Sequence, residues 1–201
     1  MTEVWTGASM SLDGYIAGPN ETGFDQLFKW YGNGDVEMPT THRDLIFHLT
    51  EVSAQHLRGY VDRIGVFVVG RRLWDLTSAW GGQHPLGKHV IVVTHTQPHD
   101  WPVEGEHFSF VTDGGVEAAI AKAKERAGDQ VVGVNGGTIA QQALDAGLLD
   151  EVWIDLVPVL LGGGIPFFPN LGSVPAELEG PISVAEGTDV THLRYRVRPK
   201  P

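Results

Sequence analysis

The stretch VVGVNGGTIAQQAL, residues 131–144, joins a short apolar run to an amphipathic segment through two adjacent glycines. Residues 131–134 are typical of the end of a buried strand, and residues 138–144 of the first turns of a helix. Inside regular structure, glycine costs about 0.5–1 kcal/mol relative to alanine. Gly136 and Gly137 therefore indicate either a tight turn or a ligand that must approach the backbone.

A second junction of the same kind is VFVVGRRLWD, residues 66–75, in which an apolar strand is followed by Gly70, Arg71 and Arg72. Strand-to-helix junctions lie at the carboxyl edge of a parallel sheet, where open α/β folds bind ligands. Helix N-termini favour phosphate there, and two forked guanidinium groups add to that preference. The alternative is an ordinary solvated arginine pair.

The rest of the chain alternates strand and helix patterns before ending in two strands. The runs RIGVFVVG and KHVIVVTHT are typical of strands covered on both faces. Residues 45–61 have helical spacing, and GGVEAAIAKAKERAG predicts a helix capped by Asp113 and stopped by Gly128. ISVAEGTDVTHLRYRV predicts a terminal hairpin. The pattern predicts an α/β protein with a mixed, mostly parallel sheet, helices on both faces and an antiparallel C-terminal hairpin.

Composition narrows the class of protein. The 201 residues are enough for one domain over 1–201, and the formal net charge of −11 disfavours nucleic acid. No apolar run approaches the roughly 20 residues of a membrane helix. The absence of cysteine excludes disulfides and thiolate metal sites, and with no signal-peptide pattern it predicts a cytoplasmic protein. The dinucleotide fingerprint G-x-G-x-x-G and the P-loop are missing, which disfavours an ordinary Rossmann dehydrogenase.

Four segments occur in an informative order: SLDGYIAG, VVGRRLWD, HVIVVT and VNGGTIAQQALDAGLLDEVWIDLVPVLLGGGIPFF. Together they resemble the dihydrofolate-reductase-like superfamily. Within it they are most similar to the C-terminal reductase domain of the bifunctional riboflavin-biosynthesis deaminase/reductase and its stand-alone relatives. The resemblance covers nearly the whole chain except residues 18–50. It implies the dihydrofolate reductase-like three-layer fold, with NADPH as cofactor. The zinc deaminase partner is missing, since no H-x-E followed by C-x-x-C occurs.

The resemblance also implies which residues contact the cofactor. Those expected to hold its phosphates are Gly70, Arg71, Arg72 and Leu73, with the 2′-phosphate side formed by Val93, Thr94 and His95. Those expected to wrap the diphosphate and nicotinamide are Asn135, Gly136, Gly137, Thr138 and Ile139. Those expected to approach the carboxamide are Ser9, Ile16 and Ala17.

Hydride transfer to a C=N or C=O bond also needs a proton, which a carboxylic acid in a semi-buried pocket can supply. By its order along the chain, Asp25 in GFDQLFKW is the first candidate for this catalytic acid, and Asp13 in SLDG is the second. Asp25 can instead cap a short helix, and Asp13 can be a turn residue before Gly14. Glu51 is a weaker candidate.

Nine histidines invite a metal interpretation, but Pro98 separates His95 from His99 and no metal site is predicted. Residues 19–43 are expected to line the substrate end. Trp30, Tyr31 and Trp74 either stack on a flat heterocycle or pack in the core.

The expected function is an NADPH-dependent oxidoreductase that transfers hydride to a small planar heterocycle or a related carbonyl compound. The implied heterocycle is a pterin, a folate or a ribosylamino-pyrimidine, and the implied enzyme class is 5-amino-6-(5-phosphoribosylamino)uracil reductase-like or dihydrofolate reductase-like. The alternative is a non-catalytic module that binds NADP(H) or a flavin nucleotide. A homodimer that uses the terminal hairpin is expected, because the hairpin carries apolar residues that a monomer would expose.

Overall fold

The computed structural model describes residues 2–98, 105–172 and 174–198. The strands in these ranges are, in chain order, β1 (Val4–Ser11), β2 (Tyr15–Ala17), β3 (Val36–Pro39), β4 (Ile46–Leu49), β5 (Ile64–Gly70), β6 (His89–Val93), β7 (Phe108–Val111), β8 (Val131–Asn135), β9 (Glu151–Val157), β10 (Ile165–Pro166), β11 (Leu178–Gly187) and β12 (Val190–Val197). The α-helices are α1 (Phe24–Leu27), α2 (Glu51–Val61), α3 (Arg71–Leu76), α4 (Gly115–Ala127) and α5 (Thr138–Asp145).

Eight of the strands form one sheet in the order β11-β12-β9-β1-β8-β5-β6-β7. The six strands from β9 to β7 pair in parallel, and β12 and β11 add an antiparallel edge. The predicted mixed, mostly parallel sheet with an antiparallel C-terminal hairpin is confirmed. The carboxyl ends of the parallel strands share one edge, where the candidate site lies.

Helices cover both faces of the sheet because the buried strands alternate their side chains between two cores. Val66 and Val68 of β5 face α4 and α5, whereas Phe67 and Val69 face the opposite core, which contains Trp74 of α3. A third core packs α1 and α2 around the buried ring of Trp30. None of the helices in the described ranges is long and apolar enough to cross a bilayer.

Two predicted helix starts differ from the structure. Residues 46–49 are strand β4, not helix, and α2 begins at Glu51 because Thr50 caps it, accepting a hydrogen bond from the Ser53 N–H at 3.3 Å. Helix α4 begins at Gly115 after Gly114, whose φ is 74°, and makes no side-chain cap bond, so the predicted cap by Asp113 is wrong. The predicted stop at Gly128 is confirmed.

Candidate active site

The two strand-to-helix junctions lie side by side because β5 and β8 are neighbouring parallel strands. Asn135 joins them: its Oδ1 accepts a hydrogen bond from the Gly70 N–H at 3.1 Å, and its Nδ2 donates to the Gly136 carbonyl at 2.7 Å. Above the junctions lies a groove with a volume of about 940 Å³, called here the first cavity.

The two glycines at the β8 junction have different structural reasons. A Cβ at Gly136 would lie 3.2 Å from Cδ1 of Ile16, so the missing side chain leaves room for that isoleucine. Gly137 has a φ of +80°, which side chains rarely adopt. Both glycines border the first cavity, but the Gly137 N–H donates to the Phe167 carbonyl at 2.8 Å. The amides left for a ligand are those of the first turn of α5, where Thr138 and Ile139 line the cavity and no side chain caps the helix.

Arg71 is fixed at the far end of the groove. Its Nε donates to Asp75 at 2.8 Å, and its Nη1 donates to the Thr96 carbonyl at 3.2 Å. The Thr94 hydroxyl lies 3.5 Å from the same Nη1. These contacts hold a guanidinium group across the ends of β5 and β6, as a site for a phosphate requires.

Arg72 points to the other end of the groove. It pairs with Glu21, and 77 % of its side chain is exposed. Exposed ion pairs contribute little to stability, so this pair can open for an anionic ligand at small cost. The two adjacent arginines therefore serve different parts of one groove.

The structure brings the residues expected to contact the cofactor together. All of them except Ser9 line the first cavity. Ser9 is buried and its hydroxyl accepts a hydrogen bond from Nε1 of Trp30 at 3.0 Å. It borders a second cavity instead, with a volume of about 720 Å³.

The second cavity adjoins the first, and Ile16, Asn135 and Gly136 line both. From residues 19–43, the segment predicted to line the substrate end, Phe24, Phe28, Tyr31 and Gly32 line this cavity. Of the three aromatic residues expected either to stack on a heterocycle or to pack in the core, Tyr31 lines this cavity. Trp30 and Trp74 are core residues.

Helix α2 and strand β1 form the inner wall of the second cavity. His56 and Tyr60 line it from α2. A Cβ at Gly7 of β1 would lie 3.2 Å from Cζ of Tyr60, so this glycine allows the tyrosine ring to lie against the sheet.

A His–Asp–His cluster lies at the base of the second cavity. Oδ1 of Asp155 is 2.9 Å from Nε2 of His56 and 2.7 Å from Nδ1 of His192. The two imidazole rings stack with their centroids 4.0 Å apart. His56 and Asp155 border the cavity, whereas the His192 side chain is fully buried.

A chain of hydroxyl groups positions the ring of His192. Thr50 donates to the Ser53 hydroxyl at 3.1 Å, and Ser53 lies 2.9 Å from Nε2 of His192. Nδ1 of His192 lies 2.7 Å from Oδ1 of Asp155, so both nitrogens of this ring have hydrogen-bond partners. His192 thus orients the carboxylate, and His56 presents the ionisable group to the cavity.

Charge in the cluster is set by these bonds. Burial alone would raise the pKa of Asp155, but hydrogen bonds from His192 and His56 hold that pKa below its ordinary value. The carboxylate is therefore ionised at neutral pH. Burial, together with the charge of Asp155, raises the pKa values of Tyr31 and Tyr60, so both remain neutral phenols.

The same three side chains also form a possible metal ligand set. Their ligand atoms lie within 4.8 Å of one another, and two imidazoles with one carboxylate suit zinc or iron. The distances to Asp155 are equally those of hydrogen bonds, which satisfy the cluster as it stands. The histidine pair considered from the sequence includes His99, which lies outside the described residues.

Comparison with known proteins identifies the family. The RibD C-terminal domain family matches residues 3–190. This chain belongs to that family. An uncharacterized protein of Bacillus subtilis (strain 168), YwjB, is 23 % identical over 190 residues, which cover 92 % of this chain and 94 % of YwjB.

Comparison with solved structures shows that the fold of this chain is dihydrofolate-reductase-like. A Shewanella sp. PV-4 protein, provisionally named for riboflavin biosynthesis, has a TM-score of 0.75 at 24 % identity, covering 98 % of this chain and 99 % of its own. Dihydrofolate reductase from Enterococcus faecalis, complexed with NADP(H) and RAB-propyl, has a TM-score of 0.55 at 16 % identity, covering 98 % and 96 %. At these identities the likeness shows the fold alone.

A Thermotoga maritima protein matches this chain over part of its own length. It is a diaminohydroxyphosphoribosylaminopyrimidine deaminase/5-amino-6-(5-phosphoribosylamino)uracil reductase, with a TM-score of 0.63 at 18 % identity. The match covers 98 % of this chain but 57 % of that protein.

The two carboxylates expected to supply a proton lie outside both cavities of this RibD C-terminal domain. Asp25 is exposed on α1. Asp13 is an exposed turn residue that accepts hydrogen bonds from the Ser11 hydroxyl at 2.6 Å and from the Gly162 N–H at 2.7 Å. The hydrogen bond from Ser11 lowers the pKa of Asp13 against the opposing effect of desolvation. Glu51 is exposed and accepts a bond from Gln55. The titratable groups that do border the second cavity beside each other are Asp155 and His56.

Sequence reasoning missed the cluster because its members are far apart in the chain. One signal was present: Asp155 is a carboxylate inside the otherwise apolar run VWIDLVPVL, residues 152–160. A second was the spacing of Ser53, His56 and Tyr60, which places them on one face of a helix. His192 gave none, because only the pairing of β12 with β9 brings it opposite Asp155.

Proposed function

We propose that this chain is an NADPH-dependent reductase that transfers hydride to a small planar heterocycle or a related carbonyl compound. The observation that carries the proposal is the junction of the two cavities at Ile16, Asn135 and Gly136. A groove with phosphate-binding groups opens there into an aromatic cavity that holds His56 and Asp155.

The first cavity fits the cofactor. Arg71 and Thr94 suit the 2′-phosphate, and Arg72 and the amides in the first turn of α5 suit the diphosphate. The two glycines leave the backbone without side chains beside the second cavity. When bound, NADPH supplies hydride from C4 of its nicotinamide. The chain's own part is to orient the ring, exclude water and provide a proton.

His56 is the group placed to move that proton. Its Nε2 bonds to Asp155, and among the described residues none bonds to its Nδ1. In its protonated form, with Nε2 held by Asp155, His56 can donate a proton to the nitrogen or oxygen next to the carbon that receives hydride. Asp155 and His192 act through His56 as positioning residues.

The test has two readouts. Calorimetric titration should show NADPH binding, and the purified protein should consume NADPH with at least one member of a panel of pterins, ribosylamino-pyrimidines and aromatic aldehydes. NADPH binding without consumption across the panel would favour a non-catalytic module. A yellow protein that retains flavin through purification would contradict the cofactor assignment.

A further inference from the structure

The side chains that line the second cavity decide which ligand charge it can hold. Among the described residues, none that lines it is arginine or lysine. Arg71 and Arg72 line the first cavity, and Arg43 and Arg58 are exposed and border neither. A bound phosphate or carboxylate group is normally held by such side chains or by free helix amides. The first turn of α2 offers no substitute, because residues 51–53 do not line the cavity.

Among the described residues, Asp155 is the only carboxylate in the wall, and it pairs with His56 at 2.9 Å, so a protonated His56 adds no net positive charge to the cavity. Asp155 is ionised, and only 14 % of its side chain is exposed. His84, the other histidine in the wall, does not compensate for it. Burial, and secondarily the nearby His42, lowers the pKa of His84 to about 4, so the ring is neutral at pH 7. An anionic ligand would lose its hydration there without an unpaired cation to replace it.

The walls and mouth of this cavity are apolar. Aromatic side chains such as Phe47, Phe67 and Trp153 line it. Its rim includes Phe28, Leu45 and Ile46, which are 46 %, 39 % and 42 % exposed. Exposed apolar side chains around a cavity indicate a ligand that covers them.

We infer that the substrate is an uncharged aromatic carbonyl or imine compound without phosphate or carboxylate groups, seated in the apolar cavity with its polar atom toward His56 and Asp155. This rests on the proposed function, because it assigns the second cavity to the substrate. It separates this chain from the Thermotoga maritima reductase, whose name specifies a phosphoribosylamino compound. The hydride ends on the carbonyl or imine carbon, and the proton on its oxygen or nitrogen.

Binding of two matched pairs of probes tests the inference. The pairs are 6-methylpterin with pterin-6-carboxylate, and 2-naphthaldehyde with 2-naphthoate, titrated calorimetrically with and without saturating NADP⁺. The uncharged member of each pair should bind about tenfold more tightly or better, a difference of about 1.4 kcal/mol. Equal or tighter binding of the anions, or no binding of either uncharged probe, would overturn the inference.

A variant at the rim gives the converse result. Ile46→Arg adds a cation to an exposed position and should raise the affinity for both anionic probes several-fold, while Ile46→Gln, similar in length and uncharged, should not. If both variants leave the preference for uncharged probes unchanged, charge does not select the ligand and the inference is wrong.

Turnover separates this inference from the proposed function. With NADPH, the protein should reduce 2-naphthaldehyde and leave 5-amino-6-(5-phosphoribosylamino)uracil unreduced. Reduction of the phosphorylated compound would overturn the substrate class and support the reductase. Failure of NADPH to bind would instead contradict the proposed function, while the probe titrations without cofactor would still decide the chemistry of the cavity.

Discussion

Asn135 accepts a hydrogen bond from the Gly70 backbone N–H at 3.1 Å through its side-chain oxygen. The two residues are far apart in the chain, at the ends of β8 and β5, and each begins a turn into a helix. The contact joins the two strand-to-helix junctions beneath the first cavity. A ligand that touches both turns meets groups that are already in position.

Replacing that side chain should loosen the groove. Asn135→Ala removes two hydrogen bonds, each contributing about 0.5–1.5 kcal/mol, and we expect the Kd for NADPH to rise about tenfold. Asn33→Ala is the matched control, since it also removes an asparagine hydrogen bond, to the Thr188 carbonyl, away from both cavities. Unchanged NADPH affinity in Asn135→Ala would show that the junctions need not be joined.

Arg71 should determine the preference for NADPH over NADH. The cofactors differ only in the 2′-phosphate, and a charge-assisted hydrogen bond contributes about 1.5–3 kcal/mol. Arg71→Ala should therefore weaken NADPH about ten- to a hundredfold and barely change NADH. Arg72→Ala should weaken the binding of both cofactors alike. Arg198→Ala is a surface control, since Arg198 pairs with Glu177, and it should change the affinity for neither cofactor. Fluorescence titration gives the affinities of the wild type and the three variants for NADPH and NADH. Equal affinity of the wild type for the two cofactors would reject the assignment of Arg71 to the 2′-phosphate.

Two aspartates should behave differently if the proton passes through His56. Asp155→Asn should lower kcat about 10²–10⁴-fold while leaving NADPH affinity nearly unchanged, because the imidazolium loses its ionised partner. Asp25→Asn should retain activity, since Asp25 is exposed and borders neither cavity.

The pH profile distinguishes a role in proton transfer from a merely structural one. An acid must be protonated to donate, so wild-type kcat/KM should fall as pH rises through the pKa of the donor. His56→Gln should remove that dependence. If Asp25→Asn is the inactive variant instead, the assignment to Asp155 and His56 fails.

His84 should make folding stability depend on pH. Its pKa is lowered from 6.5 to about 4, so on acidification the unfolded chain takes up a proton before the folded protein does. Stability is then lost as pH falls from about 6.5 to about 4, by on the order of 3 kcal/mol. Urea unfolding across this interval should show a smaller loss for His84→Gln than for wild type. His48→Gln, at an exposed position, should behave like wild type.

We also predict a homodimer that uses the terminal hairpin. β11 is an edge strand of the sheet, and Val184 on it is 53 % exposed. Of the other apolar hairpin residues, Val190 is buried and Leu193 is partly buried, so the available surface is smaller than the sequence suggests. Light scattering should give twice the monomer mass at micromolar concentration, and Val184→Lys should shift it toward the monomer. A monomer mass for the wild type would contradict the prediction.

The fold, and the meeting of the predicted cofactor residues at one cavity, could be anticipated because both depend on local patterns. An apolar run, a glycine and a helix mark each junction, and in a parallel sheet such junctions share an edge. Ser9 was the exception among the groove residues. Its hydroxyl bonds to Trp30, which belongs to the segment that the resemblance does not cover.

The His–Asp–His cluster could not be anticipated in the same way. His56, Asp155 and His192 come from a helix and two strands, and they meet only when β12 pairs with β9 and α2 packs over them. A carboxylate chosen by its order along the chain, such as Asp25, carries no information about that packing.

The shared boundary at Ile16 and Gly136 bears on the order of events in a catalytic cycle. One side of the second cavity is the place where the first cavity ends, so a nicotinamide in the groove would complete the surface on which the substrate rests. The substrate then meets a finished site only after the cofactor has bound. Steady-state kinetics should accordingly be sequential and ordered, with NADPH first to bind and NADP⁺ last to leave.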